Sequence, residues 1–550
     1  MKTDVKKIIW ICPRIQVCLG IVHDLIQDEY LPNSKVEIFT GEYKKILYDG
    51  LDFENAPETA VKNYFSGDIV VTTIDQILNA IITHHKVDTL IPFLQSHIVF
   101  DEFHELILKP ALNLLFSELI ADKKLQQEQA NTLLVSATPN YYFVREYLKI
   151  SQEDCTSIKS FNPSDYQIKF TTYDSETEEN PLVHLSQKGD VSTFVITNTA
   201  EAAQIGFLRH QEDENNILLH SQYTRQDKAY WFEQVYESFR KNGTKGYQIL
   251  RSGPIVQASL NISCDRMFTE LTSAENWLQR LGRLNRFGTN DTTSVYTTVL
   301  PKSAEEGKRN TQTARFLEQL HAWNSTKAWL NFLREKLAHT KTIQLNELYQ
   351  IDTDFYADEG CQAKIAEDFK NALRKSAERI NKKVMDPISI FSHLQSDNSP
   401  VKISRSSLRG DNRFVQMAVC SVDKELQFHF PDNYAYNEAL SESQQNNFLT
   451  ESVERIRGYG DSEKDLLAFM KAKHHNIKKD CKKVYKDVQL LNQARSLERP
   501  IYLSYTRQDL EPVGGVAHPH AIYYIVTEKQ PVGKISFSTL QQRLGSSDAS

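Results

Sequence analysis

Five short apolar runs recur from Ile8 onward, each surfacing into a polar or glycine-containing turn, and longer helical patterns lie between them. The runs are Ile8 to Cys12, Val36 to Phe39, Asp68 to Thr72, His97 to Phe100 and Thr132 to Val135. Several are apolar on consecutive residues, which a strand needs only when both of its faces are buried, as in a parallel sheet covered by helices. Stretches such as Gln16 to Asp28 supply the crossovers. The pattern therefore predicts an α/β fold. In open sheets of this kind ligands sit just beyond the carboxyl ends of the strands.

A second series of strands and helices begins near Val191, after an acidic stretch from Asp174 to Asn180 that reads as a linker or long surface loop. Its strands are Thr193 to Thr197, Ile217 to Leu219, Gln248 to Leu250 and Ser294 to Leu300. From Ser303 to about Lys382 the apolar spacing turns helical, with Phe316, Leu320, Trp323, Trp329, Phe332, Leu333 and Leu337 at intervals near three and four. Aromatic residues so spaced read as core. A chain of 550 residues exceeds what one core can serve, so several domains are expected. A hydrophobic share of 40% with 25% charged residues excludes wholesale disorder.

Two strand ends carry candidate chemistry. After the His97 run come Asp101-Glu102-Phe103-His104, and after the Thr132 run come Ser136-Ala137-Thr138-Pro139. Asp101 suits a phosphate-bound Mg²⁺ and Glu102 suits polarisation of a hydrolytic water, while an acidic helix start fits the same two carboxylates. In the second series, Gln279-Arg280-Leu281-Gly282-Arg283-Leu284-Asn285-Arg286 spaces Gln279, Arg283 and Arg286 at i, i+4 and i+7. On a helix those three share one face, able to bring two guanidinium forks to a phosphate or to stand in solvent.

Taken together, DEFH, SAT and QRLGRLNR occur in the order and spacing of superfamily 2 DExH helicases, which the chain resembles from about Ile8 to Leu300. Within them, Asn285-Arg286-Phe287-Gly288 and the stretch from Gln257 to Ile262 are most similar to the CRISPR-associated helicase-nuclease of type I interference systems. The resemblance implies two RecA-like domains, residues 1–158 and 159–302, the first N-terminally truncated, then a helical linker over 303–400 and a small accessory domain over 401–550. It implies ATP and Mg²⁺ as cofactors, with single-stranded DNA and a crRNA-guided surveillance complex as partners. Asp101 and Glu102 take the Mg²⁺ and the water, and His104, Ser136 and Thr138 couple nucleotide state to strand contacts. Gln279, Arg283 and Arg286 sense the γ-phosphate. Backbone contacts to DNA fall to Pro13, Arg14, Thr40, Gly41, Thr72, Thr73, Asp75, Asn198 and Thr199, small donors and strand-end amides suited to phosphate and blind to sequence. Ser252, Gly253 and Asn261 depart from the family pattern.

The phosphate-cradling GxxxxGK[ST] of the family is absent from the 550 residues: Gly-Lys occurs only at Gly307-Lys308 and Gly533-Lys534, each without the rest of the loop. The expectation is a chain that is inactive alone, with the missing strand and an HD nuclease carried by a separate upstream polypeptide. That strand is expected inside the first sheet, so that its loss bares strand edges. His23-Asp24 reads as a helix-surface pair. A DExH enzyme of restriction or RNA metabolism and a non-catalytic nucleic-acid-binding remnant are the competing readings.

A net charge of −7 leaves nucleic-acid contact to local surfaces. The lysines between Lys471 and Lys486, with His474 and His475, read as a solvated helix face or a strand-guiding patch. His518 and His520 lack companion ligands for a metal. Seven scattered cysteines without a CxxC fit free thiols and a cytoplasmic setting. No apolar run approaches the 18 residues of a membrane span.

Overall fold

The computed structural model describes residues 7–27, 34–41, 43–47, 65–83, 89–125, 130–186, 191–257, 260–289, 293–385, 419–426, 428–429 and 522–544. The Lys471 to Lys486 stretch, His518 and His520 lie outside them. The first lobe runs β1 (Ile8–Cys12), α1 (Ile15–Gln27), β2 (Val36–Phe39), β3 (Lys44–Leu47), β4 (Ile69–Thr73), α2 (Ile74–Thr83), α3 (Leu90–Gln95), β5 (His97–Phe100), α4 (His104–Ile107), α5 (Leu112–Leu125), β6 (Thr132–Leu134) and α6 (Tyr141–Glu146). Its sheet has the order β3-β2-β4-β1-β5-β6, and only β3 is antiparallel to its neighbour. Every residue of β2 and β4 is buried, including Glu37 on β2, whose carboxylate accepts from Phe65 N–H (3.2 Å) and Gly67 N–H (2.8 Å). One face packs Ile9, Ile11 and Val70 into the main core, the other packs Ile38, Ile69 and Val71 against Val17, Cys18 and Val22 of α1. Lys44 and Lys45 on β3 guard that edge, and their charge hid the strand from the apolar pattern.

The expectation of a gap inside this sheet is corrected: the six strands form one continuous sheet, with β6 as its last strand. There Leu133 and Val135, two residues apart and so on one face, are 57% and 39% exposed. Elsewhere in the lobe, Lys123 is buried and its ammonium donates to the carbonyls of Phe93, Leu94 and Ser96. It caps the carboxyl end of α3, whose last carbonyls lack helical partners.

The second lobe comprises β7 (Asp165–Tyr173), α7 (Pro181–His184), β8 (Thr193–Ile196), α8 (Ala200–Arg209), β9 (Asn216–Leu219), α9 (Arg225–Phe239), β10 (Ile249–Ser252), β11 (Arg266–Glu270), α10 (Ala274–Leu281) and β12 (Ser294–Pro301). Its sheet, β13-β7-β12-β11-β8-β10-β9, is parallel except for β13 (Ile343–Gln344), which covers β7. Strand β7 precedes the series read from Val191 onward, because it alternates polar and apolar residues and so lacks the signature of a strand buried on both faces. The acidic Asp174 to Asn180 stretch is a surface loop between β7 and α7, and Asn180 caps α7 through Leu182 N–H (3.0 Å).

Helices α11 (Lys302–Glu305), α12 (Gln312–Gln319), α13 (Trp323–Leu337), α14 (Leu345–Ala357) and α15 (Glu359–Met385) follow. Trp323, Trp329 and Leu333 are buried, and Trp329 meets Trp277 of α10 edge to face at 6.0 Å, the core role read for these aromatics. A last sheet, β15-β14-β16-β17, contains β14 (Val419–Val422), β15 (Phe428–His429), β16 (Ile522–Val526) and β17 (Pro531–Ser536), followed by α16 (Phe537–Leu544). It packs on the second lobe. Leu218 N–H donates to Gln530 Oε1 (3.1 Å) and Gln530 Nε2 donates back to Leu218 O (3.1 Å), so one side-chain amide closes the outer edge of β9. Gly533, at φ 85°, lies so close to Gln222 O and His220 that a Cβ would stand 2.7 and 2.8 Å from them.

Candidate ATP and nucleic-acid site

The carboxyl ends of β1, β2, β4, β5 and β6 converge on one rim, since the strands pair parallel with Cys12 opposite Thr73, Phe39 opposite Thr72, Ile11 opposite Phe100 and Phe100 opposite Leu134. Pro13 and Arg14 leave β1, Thr40 and Gly41 leave β2, Thr72 and Thr73 end β4, and Asp75 opens α2. Asp101 to His104 leave β5, and Ser136 and Thr138 leave β6. Parallel pairing thus gathers the first-lobe residues singled out in the sequence.

Glu102 adopts φ 47°, in the left-handed region that non-glycine residues enter at a cost on the order of 1 to 3 kcal/mol. The turn is fixed by Asp101 N–H donating to Ile11 O (2.9 Å), Phe103 N–H to Val135 O (3.3 Å) and Glu105 N–H to Glu102 O (3.0 Å). Burial first, then the charge of Asp101, pushes the Glu102 carboxyl up to about 7, against the pull of Arg283 and Arg286. Burial likewise raises Asp101. Glu102 Oε2 is buried, 3.4 Å from His104 Nδ1, and makes no hydrogen bond.

His104 is buried, and burial lowers it to about 4, so it is neutral near pH 7. Its two nitrogens have different partners: Nδ1 meets Ser136 Oγ at 2.6 Å, and Nε2 meets the Gln279 side-chain amide from α10. The amide nitrogen donates, so Nε2 accepts and Nδ1 carries the proton. Ser136 Oγ also accepts from Thr138 N–H (3.0 Å). A continuous hydrogen-bonded path therefore runs from the end of β6 through the end of β5 to the second lobe.

The helical-face expectation for Gln279, Arg283 and Arg286 is corrected. Helix α10 ends at Leu281, with Gly282 as its C-cap, and both arginines lie on the turns beyond it. The helix stops because the chain must reverse: Asn285 takes φ 43°, and Cys264 and Leu284 form an isolated bridge. Both guanidinium groups still act on Glu102. Burial, with Arg286 adding to it, lowers Arg283 to about 9, opposed by Glu102. Arg286 is exposed and donates to Asn261 Oδ1 (2.8 Å) and Gly282 O (3.3 Å).

Several proposed strand contacts have side chains already engaged. Thr72 Oγ1 donates to Phe39 O (2.6 Å), and Thr40 Oγ1 accepts from Tyr43 N–H (2.9 Å). Asn198 is buried, donating to Leu271 O (2.8 Å) and accepting from Arg280 (3.0 Å). Thr199 caps α8, and Ser252 Oγ donates to Leu219 O (2.8 Å). Gly41 is exposed, and Arg14 is held by Glu105 at 2.9 Å. Burial alone would raise Glu105, but Arg14 and Lys109 hold it at about 2. The sequence reading missed Glu105, one residue past the motif, and also Arg280, whose burial a QRLGR string does not betray.

Among the described residues no group of three or more His, Cys, Asp or Glu residues could hold a metal, five cysteines are free thiols, and no helix is long and apolar enough to cross a membrane.

A family model described as CRISPR-associated nuclease/helicase Cas3, C-terminal, matches residues 189–289. A putative CRISPR-associated nuclease/helicase Cas3 of Methanocaldococcus jannaschii is 26% identical over 257 residues, 44% of this chain and 35% of that protein. The CRISPR-associated nuclease/helicase Cas3 of Methanothermobacter thermautotrophicus is 23% identical over 308 residues, 51% of this chain and 35% of that protein. Each match thus spans about a third of the relative's length. The crystal structure of T. fusca Cas3 with ATP superposes with a TM-score of 0.58 at 17% identity, covering 81% of this chain and 57% of that one. Over these stretches the chain is similar to CRISPR-associated Cas3 nuclease/helicases, and it shares the fold of the T. fusca protein.

Proposed function

We propose that this chain is the helicase motor of a type I CRISPR interference effector, drawing single-stranded DNA across its lobes at the expense of ATP on targets opened by a crRNA-guided surveillance complex. The observation that carries the reading is the approach of Arg283 and Arg286 to Glu102, next to Asp101 and beside the His104–Gln279 bridge. A carboxylate on one lobe faces two guanidinium groups on the other, with Asp101 beside it, an arrangement suited to stabilising charge on a transferring phosphoryl group. Mg²⁺ fits the first side, since it binds through one or two carboxylates plus phosphate and water, and Glu102 keeps a buried oxygen without a hydrogen bond. When bound, the ion neutralises phosphate charge; Glu102 orients water, and Arg283 and Arg286 engage the γ-phosphate. A protein of the same fold was crystallised with ATP. DNA runs over Pro13, Arg14, Thr40, Gly41, Thr72, Thr73 and Asp75 on the first lobe and Asn198 and Thr199 on the second.

The 550 residues hold no GxxxxGK[ST], and without its backbone cradle and lysine Mg-ATP is poorly positioned. We further propose that a strand bearing this loop pairs with β6 and that the helix following it covers Leu133 and Val135. The test is co-expression with a polypeptide carrying that loop, strand and following helix, followed by DNA-stimulated ATPase assay. Turnover that appears only in the pair and falls on the order of a thousandfold with Arg283→Ala supports the reading. A folded, stable pair without turnover rejects the motor assignment, and failure to associate rejects the pairing on β6.

A further inference from the structure

Helix α10 reaches the first lobe at two places one turn apart. Gln279 touches His104, and Glu275, four residues earlier and so on the same helical face, touches Asn140. Asn140 Nδ2 donates to Glu275 Oε1 (2.7 Å), while its Oδ1 accepts from Phe143 N–H (2.9 Å) and caps α6. The cap fixes which end of the amide faces Glu275. Tyr356 of α14 donates its hydroxyl to the same Oε1 (2.8 Å). Three parts of the chain thus meet on one oxygen: the first lobe just past Ser136 to Pro139, the helix that precedes Arg283, and the helical region.

All three residues are buried, at 4%, 6% and 2% exposure for Asn140, Glu275 and Tyr356. Tyr141 packs edge-on against the Tyr356 ring at 6.0 Å. Asp352, one turn before Tyr356, is buried with an Oδ1 that makes no hydrogen bond, and burial, then the charge of Glu275, raises it well above the usual carboxylate range. The node holds its carboxylate with neutral donors on two sides, and one of them, Asn140, lies on the first lobe, so that bond must break if the lobes part. A buried acceptor that loses its donors is costly, so the contact forms and breaks with closure of the lobes.

We propose that Glu275 is a positioning residue: by joining Asn140 of the first lobe to Tyr356 of α14, it holds α10, and with it Gln279 and Arg283, in register with His104 and Glu102. The consequence for turnover rests on the motor reading above; the latch itself is read out by lobe separation without any hydrolysis.

The experiment places a non-cysteine donor and acceptor fluorophore at Leu125 and Tyr230, both exposed and one on each lobe, in the full 550-residue chain. Asn140→Asp keeps the α6 cap but replaces the donor facing Glu275 by a second carboxylate. It is expected to raise the open-to-closed ratio by on the order of tenfold or more. Glu275→Gln alone keeps an acceptor oxygen for Tyr356 and is expected to do less. In the double variant Asn140→Asp/Glu275→Gln the introduced amide donates to the introduced carboxylate, and closure is expected to return toward wild type, a rescue that general loss of packing cannot produce. Tyr356→Phe keeps the ring contact with Tyr141 and is expected to open the lobes several-fold, serving as the test should Asn140→Asp fail to fold by circular dichroism. Unchanged energy transfer in folded Asn140→Asp, additive opening in the double variant, or unchanged transfer in Tyr356→Phe when that variant bears the test, would overturn the proposal. In a pair supplied with the missing phosphate loop, loss of turnover without lobe opening rejects the positioning role, and lobe opening in a pair that never turns over rejects the motor reading alone.

Discussion

At the outer edge of the second sheet, β9 meets a glutamine amide that takes up the N–H and C=O of Leu218, whereas at the outer edge of the first, β6 presents Leu133 and Val135 to solvent. Both strands are short, parallel and terminal, so strand chemistry alone does not set them apart. What differs is the element beside them. The second lobe has recruited the hairpin of β16 and β17, anchored by Gln204 and His220 on the carbonyl of Val532 and by Lys534 N–H on Gln222 O (2.9 Å). Its other edge is closed by β13. The first lobe protects its β3 edge with lysines and leaves β6 apolar. Among the described residues β6 has a neighbour on one side only, and an unguarded parallel edge can pair, which is the contrast that the proposed pairing on β6 draws on.

The sharpest way to break this contrast is to open the closed edge. Gln530→Leu removes both bonds to Leu218 and the one to the Tyr223 hydroxyl (2.9 Å), leaving the buried Leu218 N–H without its partner while the Leu218 carbonyl keeps the Tyr223 hydroxyl (3.0 Å). An orphaned buried group of this kind costs about 1 to 3 kcal/mol, so the second lobe is expected to lose about that much in chemical denaturation followed by tryptophan fluorescence. A change below about 0.5 kcal/mol, the range of ordinary surface substitutions, would show that the amide does not seal β9.

A smaller effect comes from His220, on which the hairpin rests. Burial lowers it to about 3, against the bond to Val532 O. A group whose folded value lies below its unfolded one contributes stability that is complete above the unfolded value, about 6.5, and is lost as pH falls toward the folded one. The unfolded chain binds about one more proton across that window. His220→Asn is therefore expected to flatten the fall of melting temperature between pH 6.5 and 4. Burial also raises Glu102, to about 7, which has the opposite sign: its folded form gains a proton first and favours the acid side from about 7 down to 4.5. An unaltered slope in His220→Asn would mean that the hairpin does not keep this imidazole from the proton.

Most of this contrast was not legible in the sequence, for reasons that differ by element. The parallel strands were legible because burial on both faces demands unbroken apolar runs such as Ile69 to Val71. Strands β3, β7 and β13 were not, because each is charged or polar on one face or too short to carry a period. The rim of the first lobe followed from motif order, and parallel pairing then gathered Pro13, Thr40, Thr72 and Asp101. The arginines were legible as residues and not as geometry: their helical spacing suggested a shared face, but the helix ends before them and a turn delivers them to Glu102. Glu275, Asn140 and Gln530 were hidden for a deeper reason. Each works through a partner between 81 and 312 residues away, and no local pattern marks a polar residue as buried.

The mildest perturbation tests the open edge itself. Leu133→Lys together with Val135→Lys replaces two side chains that water already reaches, so folding stability is expected to change by less than about 0.5 kcal/mol. The same lysines should discourage another chain from pairing, as Lys44 and Lys45 do on β3. Sedimentation velocity of wild type and double variant is the measurement. The wild type is expected to self-associate with rising concentration, because a bare apolar face beside an unpaired strand gains from any cover, and the variant is expected to stay monomeric. The variant is also expected to refuse the loop-bearing partner that the wild type accepts, since one surface cannot be charged toward solvent and covered by an apolar helix. A loss of several kcal/mol would mean that Leu133 and Val135 are already covered in solution. Equal association of both proteins, with stability unchanged, would place the interaction elsewhere and leave β6 a plain end of the sheet.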